Sequence, residues 1–348
     1  MREKILDFLE REIEEEHIPG VVLSVSHQGE TIVEEAVGFC TVFPEKTPMK
    51  LDTVFDLASL TKVVATLPAI LKLMDEGEIR LDDPVTFFLP EFSQKGKDSI
   101  TLRHLLTHTS GLPSHQPYYK DGLSTEEILR SIYEQELESR PGTKVIYSDL
   151  GFITLYKVVE HVAGENYEAF LQKELFDPLE MFETGFNPHF PNERYAATEF
   201  DEKINDYKLG VVHDENTESM AGISGHAGLF STVDDLKNFA SMIENGGVYK
   251  GKRILSESGI KFSRKNFTAF DEQYRGLGWA LKSPAWSSCG DFFSAESFGH
   301  TGFTGTSMWF DPTINLHVIV LTNRVHFGRK PHILRLRPRL HNLIRSYF

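Results

Sequence analysis

The chain has 348 residues, 40% hydrophobic and 25% charged, a composition typical of folded globular proteins and unlike disordered or fibrous ones. At this length one large domain or two intimate lobes is expected, with room for a sizeable core and a buried site. A net charge of −15 argues against a nucleic-acid backbone as the main ligand, and two cysteines, Cys40 and Cys289, are too few for a disulfide framework and lack metal-site spacing.

In chain order, Ile5, Phe8, Leu9 and Ile13 recur at helical spacing and predict an amphipathic helix that ends at the Pro19-Gly20 breaker. This stretch is charged from residue 2 and has no apolar run ending in small residues, so it does not read as a secretory leader. No stretch approaches the ~20 apolar residues of a membrane span either, and a cytoplasmic location is expected. Gly20–His27 and Thr31–Val37, parted by Gln28-Gly29-Glu30, read as a β-hairpin. Between Thr61 and Gly77 the pattern is helical, with Val64, Leu67, Leu71 and Met74 on one face and Pro68 placed to kink it. Leu102–Thr107, Thr125–Glu136, Phe152–Ala163 and Tyr167–Leu175 also fit the helical period. Strand character returns in Gly276–Leu281, Ser297–Thr301, Thr306–Asp311 and Leu316–Leu321, and a closing helix is expected over Arg339–Ser346. Strands at both ends of a helical middle predict one antiparallel sheet built from the first and last thirds, with a site in the crevice between sheet and helices. The acidic start (Glu10, Glu12, Glu14 to Glu16) and basic end (Arg324 to Arg345) are expected to pack near each other.

Ser59-Leu60-Thr61-Lys62 has the spacing Ser-x-x-Lys, which at the start of a helix puts a hydroxyl and an ammonium one turn apart on the same face. Serine is a poor nucleophile at neutral pH and needs a neighbour to take its proton, a task open to a lysine whose pKa burial depresses. A second copy, Ser258-Gly259-Ile260-Lys261, lies in the polar stretch Ser256–Lys265 and reads as surface, whereas apolar sequence flanks Ser59 on both sides.

The text around Ser59, Phe55-Asp56-Leu57-Ala58-Ser59-Leu60-Thr61-Lys62, leads into Gly77–Val85, Leu89-Pro90-Glu91-Phe92 and Ile100–Leu112. In this order these segments resemble serine β-lactamases, penicillin-binding DD-peptidases and related esterases, nearest to their class C branch. The resemblance runs over almost the whole chain. It implies an α/β (α+β) fold of the β-lactamase type, an antiparallel sheet flanked by N- and C-terminal helices with a mostly helical lobe inserted. One domain over 1–348 is expected, its α/β lobe at about 1–58 and 222–348, its helical lobe at about 59–221, and the site in the cleft between them.

The resemblance also implies roles. Ser59 is the acylated nucleophile, Lys62 its partner, and Tyr147 of Tyr147-Ser148-Asp149 shares the proton traffic with Lys62. The family has Asn where this chain has Asp149, which only accepts hydrogen bonds when ionised. Asp149 is therefore expected to pair with Lys62 and hold it protonated, shifting the base role toward Tyr147 and weakening amide recognition. His300-Thr301-Gly302 matches the third element, usually Lys-Thr-Gly. Thr301 and His300 are expected to orient a substrate carboxylate or carbonyl, Gly302 to let substrate lie close along the strand, and the Ser59 and Phe303 N–H groups to form the oxyanion hole. A charged His300 would make carboxylate affinity weaken as pH rises. His104 and His108 are expected to be structural. His213, Asp214, Glu215, Asn216 and His226, in a stretch that resembles one carboxypeptidase-containing subgroup, are expected to form a hydrogen-bonded loop lock rather than a metal site. No cofactor is implied. The expected substrate is a small molecule or short peptide, hydrolysed by a D-alanyl-D-alanine-type carboxypeptidase or a small-acyl esterase. A β-lactamase is the alternative within the class, and a catalytically silent binding or scaffold protein of the same fold is the alternative outside it. The presence of Ser59, Lys62 and Tyr147 together argues for the enzyme, and the oligomeric state is not legible.

Overall fold

Seven strands make one antiparallel sheet, in the spatial order Ala280–Leu281, Phe298–Thr301, Ser307–Asp311, Leu316–Thr322, Gly20–His27, Glu30–Thr41 and Thr47–Pro48. The computed structural model of the protein describes residues 1–348. The first and last thirds of the sequence meet at the sheet's centre, where Gly20–His27 pairs with Leu316–Thr322 in the register Leu23 opposite Val320. The hairpin between the first two strands turns on Gln28 and Gly29, both at positive φ, the conformation that matches the right-handed twist of its strands.

Both faces of the sheet are covered, so its central strands are apolar on each side of the pleat. Val21, Leu23, Val25, Val318 and Val320 face the N-terminal helix Arg2–Glu14 and the C-terminal helix His332–Arg345, against Ile5, Phe8, Leu9, Leu336, Leu340 and Ile344. Val22, Ile319 and Leu321, one residue out of phase, join the larger core that continues through the helix Val233–Glu244 into the helical middle of the chain. Full burial of each such side chain contributes about 1.5–3 kcal/mol. The acidic start and basic end meet here: Arg339 donates to Glu12 at 2.7 Å.

Three segments depart from expectation for local reasons. The helix after Ser59 is not kinked at Pro68; it opens with a π-helical turn, Lys62–Thr66, and Pro68 sits in the first turn of the α-helical segment Leu67–Asp75. There its missing N–H costs little. The C-terminal helix begins at His332, well before the expected Arg339, and carries Pro338 inside it. Gly276–Leu281 is a strand only at Ala280–Leu281, because Gly278 has φ +71° and the Gly276 N–H bonds back to the Trp279 carbonyl. A small second sheet joins Phe55–Asp56, Leu229–Ser231 and Gly185–Phe186, and it anchors the segment entering Ser59. No helix is long and apolar enough to cross a membrane.

Candidate active site

The nucleophile candidate sits on a tight, built corner. Ser59 lies in the single 3-10 turn Ala58–Leu60, which follows the Phe55–Asp56 strand and runs directly into the π turn at Lys62. Ala58 has φ +46°, a left-handed conformation that is strained for a residue with a side chain. Asp56 holds it there: one carboxylate oxygen accepts the Ala58 N–H at 2.8 Å and the other accepts the His213 N–H at 2.7 Å. Burial pushes the Asp56 carboxyl above the usual range, against the pull of these two donors. The Leu57 N–H bonds to the Leu229 carbonyl at 2.9 Å and the Thr61 hydroxyl accepts the Leu229 N–H at 3.2 Å, so the corner is tied to the small sheet on both sides of Ser59.

Lys62 is completely buried, and its ammonium donates to the Ser59 hydroxyl at 2.9 Å, to Asp149 at 2.8 Å and to the His226 carbonyl at 3.1 Å. Burial pulls the lysine pKa down, but the charge of Asp149, with Tyr147 behind it, outweighs burial and leaves it raised. For Asp149, burial pushes up and is outweighed by Lys62, by His115 at 3.9 Å and by His226, so its carboxyl lies well below the usual range. The sequence places this charge locally: the helix Asp149–Ala163 starts three residues before the expected Phe152, which puts Asp149 in its first turn, where a carboxylate is favoured. All three ammonium protons are engaged. In this arrangement the Lys62 ammonium is a donor to Ser59.

Tyr147 stands over this pair. The Lys62 nitrogen is 4.9 Å from the centre of its ring and the Arg275 guanidinium 5.3 Å, while His108 and His300 flank it at 4.5 and 5.9 Å between ring centres. His108 accepts the Ser148 N–H at 3.0 Å and His104 completes the capping box of the helix Leu102–Leu106, so both serve the scaffold as expected. His300 differs from expectation. It is 3% exposed, and burial together with the cations Arg275 and Lys62 holds its pKa well below 6.5, so it is neutral at physiological pH. Its Nδ1 lies 3.0 Å from the Thr301 carbonyl and so carries the proton, leaving Nε2 without a partner. The expectation of a charged His300 is not met in the substrate-free cleft.

Gly302 has a further reason beside the one its motif suggests. A Cβ there would meet the Thr306 hydroxyl at 2.1 Å and the Leu57 carbonyl at 2.5 Å, so the glycine is required for the strand's turn to approach the segment that carries Ser59. The turn is stitched to that segment by Thr304, donating to the Asp56 carbonyl at 2.8 Å, and Thr306, donating to the Leu57 carbonyl at 3.0 Å. The result brings Ser59 and Phe303 together in one cleft, and neither residue's backbone N–H is spent on a bond within the chain.

Around the cleft the fourth stretch forms a lock of hydrogen bonds. His226 Nε2 is 3.0 Å from Asp214, Nδ1 is 2.9 Å from the Ser224 hydroxyl, and Asn216 joins the Tyr119 N–H to the Gln116 carbonyl. Glu215 pairs with Arg329 at 2.7 Å, and the His213 ring stacks on Phe303 at 5.6 Å. The second Ser-x-x-Lys is remote in character: Ser258 and Lys261 are exposed on the short helix Glu257–Ser263, with Lys261 paired to Glu257.

The cleft has a volume of about 1140 Å³ and is lined by Ser59, Tyr147, His300, Thr301, Gly302 and Phe303 among others. Two lining arginines escaped the sequence reading, Arg275 and Arg337, and neither has a carboxylate partner. Arg275 lies just before the expected strand Gly276–Leu281, outside any stretch that carries a signal, and nothing local distinguishes Arg337 from the other arginines of the basic C-terminus.

Residues 6–341 match the Beta-lactamase family. The chain is 33% identical over 365 residues to the N-acetylmuramyl-L-alanine amidase of Bacillus subtilis (strain 168), covering 93% of this chain and 81% of that one. It is also 33% identical over 307 residues to a putative D-alanyl-D-alanine carboxypeptidase of Escherichia coli (strain K12), covering 79% and 70%. In three dimensions it resembles the octameric penicillin-binding protein homologue from Pyrococcus abyssi, with a TM-score of 0.78 at 23% identity over 99% of this chain and 77% of that one. The chain belongs to the Beta-lactamase family, and it is a serine hydrolase of the acyl-enzyme type.

Proposed function

We propose that Ser59 is the acylated nucleophile of a hydrolase for short peptides ending in a D-amino acid, the substrate class that the names of the carboxypeptidase relatives indicate. The Ser59 oxygen attacks the substrate carbonyl carbon, Tyr147 accepts the hydroxyl proton as general base and then passes it to the leaving amine, and water repeats the sequence to release the acyl group. The Ser59 and Phe303 N–H groups hold the oxyanion. Lys62 supplies a fixed positive charge beside the serine. The observation that carries this reading is the Lys62 ammonium, held on Ser59 at 2.9 Å and on Asp149 at 2.8 Å, which leaves the base role to the tyrosine.

Esters of small acyl groups are a second reading, favoured by Asp149: an ionised carboxylate committed to Lys62 has no hydrogen to offer the amide carbonyl of a peptide substrate. The test is mass spectrometry after exposure to a fluorophosphonate or penicillin, with turnover of D-Ala-D-Ala peptides, p-nitrophenyl esters and nitrocefin. A single adduct on Ser59 is expected. Ser59→Ala should abolish turnover, a loss of about 10⁶-fold where a serine nucleophile is removed, while Ser258→Ala leaves it unchanged. Equal effects at the two serines, or an adduct elsewhere, would sink the assignment.

A further inference from the structure

A trans peptide points its C=O and N–H in opposite directions, so whatever grips the Gly302 carbonyl decides where the Phe303 N–H points. That carbonyl accepts two hydrogen bonds, from the Gly305 N–H at 3.2 Å and, more closely, from Arg337 Nη2 at 2.9 Å, and the same Arg337 nitrogen donates to the Thr306 carbonyl at 2.8 Å. The Gly302 N–H in turn donates to the Thr306 carbonyl at 2.7 Å, so the guanidinium straddles the two ends of the turn that carries Phe303. Arg324 fixes the next peptide by donating to the Phe303 carbonyl at 3.0 Å.

A simple tie between two carbonyls does not call for a cation. Arg337 reaches the turn from the C-terminal helix, is 4% exposed, has no carboxylate partner and leaves its Nε without any partner. Burying an uncompensated charge is costly, and a neutral amide would serve two carbonyls with less desolvation. Burial and the neighbouring Arg324 pull its pKa down to about 9, which leaves it charged at neutral pH. A negative charge develops at this turn during reaction, when the oxyanion forms at the opposite end of the Gly302–Phe303 peptide.

We infer that Arg337 is a positioning residue for the oxyanion hole: through the Gly302 carbonyl it orients and polarises the Phe303 N–H toward the charge that develops on the substrate oxygen. The path runs from guanidinium to carbonyl to amide proton to oxyanion, each bond strengthening the next. The inference rests on the assignment of Ser59 and Phe303 made above.

The experiment uses the full chain with Arg337→Met and Arg337→Lys. Three readouts are taken: kcat and KM for p-nitrophenyl acetate, inhibition by phenylboronic acid, whose tetrahedral serine adduct sets an oxygen on the oxyanion donors, and the infrared stretch of a ¹³C-labelled acyl carbonyl on the enzyme. Removing one oxyanion donor outright costs about 10²–10³-fold, so loss of the group behind it should lower kcat of Arg337→Met about 10- to 100-fold with KM nearly unchanged. The boronate should weaken by a similar factor, the acyl carbonyl should move to higher wavenumber, and Arg337→Lys should recover part of each. A carbonyl stretch and boronate affinity equal to wild type in either folded variant would overturn the inference, even if kcat fell. Should Arg337→Met not fold, Arg337→Lys carries the same two readouts, with shifts smaller than the full loss expected. A wild-type enzyme that forms no Ser59 acyl band would overturn the assignment of Ser59 and this inference with it, a result distinct from a normal band that ignores Arg337.

Discussion

At the scale of single residues, the site is a set of charges that fix one another. The Asp149 carboxyl, held below its ordinary pKa, contributes stability that is present above about pH 4 and lost as pH falls through its folded value. Lys62, held above its ordinary pKa, contributes stability that is present below about pH 10 and lost only as pH rises through its own. The pair is therefore intact across the neutral range, and Lys62 should add no inflection to the rate of Ser59 labelling between about pH 5 and 9. Asp149→Asn removes the partner and leaves burial dominant, which should bring the lysine pKa down into this window and make labelling rise with pH through it. Labelling profiles of wild type and Asp149→Asn that superpose would show that Asp149 does not govern the lysine. The Ser-x-x-Lys spacing and the Asp-for-Asn departure were legible because they are matters of local geometry and formal charge. The lowered pKa of His300 was not legible, because its ordinary value says nothing of the burial and the two cations around it. Arg337 was invisible because its meaning lies in a carbonyl 35 residues away.

The elements show where a local pattern stops being informative. The central strands and the existence of the helices follow from hydrophobic period, but not every helix boundary does. The closing helix was truncated in the sequence reading because Pro338 is an ordinary reason to end a helix, yet tertiary burial of Ile333 and Leu336 carries the helix back to His332. The turn between Phe298–Thr301 and Ser307–Asp311 is the opposite case: its glycine was flagged for the substrate side, while its close neighbours Thr306 and Leu57 were not legible. Gly302→Ala should destabilise the protein by about 1–3 kcal/mol, as overpacking does, and slow Ser59 labelling by displacing Phe303. Adding Thr306→Ala removes the closer clash but leaves the Leu57 carbonyl at 2.5 Å, so the double variant should recover only part of the stability. Denaturant unfolding of the two variants decides this; full recovery would mean that the Leu57 backbone yields and that the turn is not pinned to the nucleophile's segment.

Across the whole molecule, the sheet that joins the chain's two ends is covered on one face by the first and last helices, and the last helix carries the buried ionisable residues Arg337 and His341. His341, on the C-terminal helix, is fully buried, with Nδ1 2.9 Å from the Ser288 carbonyl and no partner for Nε2. Burial, opposed by that carbonyl, pulls its pKa down to about 4. A histidine lowered in this way contributes stability that is complete above its unfolded pKa of about 6.5 and lost as pH falls, because the unfolded chain takes up a proton that the folded one refuses. Between pH 7 and pH 5 this single group should cost about 2 kcal/mol. Asp56 and Asp235, whose carboxyls burial raises, act in the other direction as they protonate in the folded state, so the total slope is not diagnostic. The difference between two proteins is. His341→Gln cannot titrate and keeps a donor for the Ser288 carbonyl, so it should be less stable than wild type at pH 7 yet lose about 2 kcal/mol less on going to pH 5, measured by urea unfolding at the two pH values. Parallel losses in the two proteins would mean that His341 meets its protons equally in the folded and unfolded chain, and that the packing of the last helix against Ser288 and Phe293 leaves it open to water.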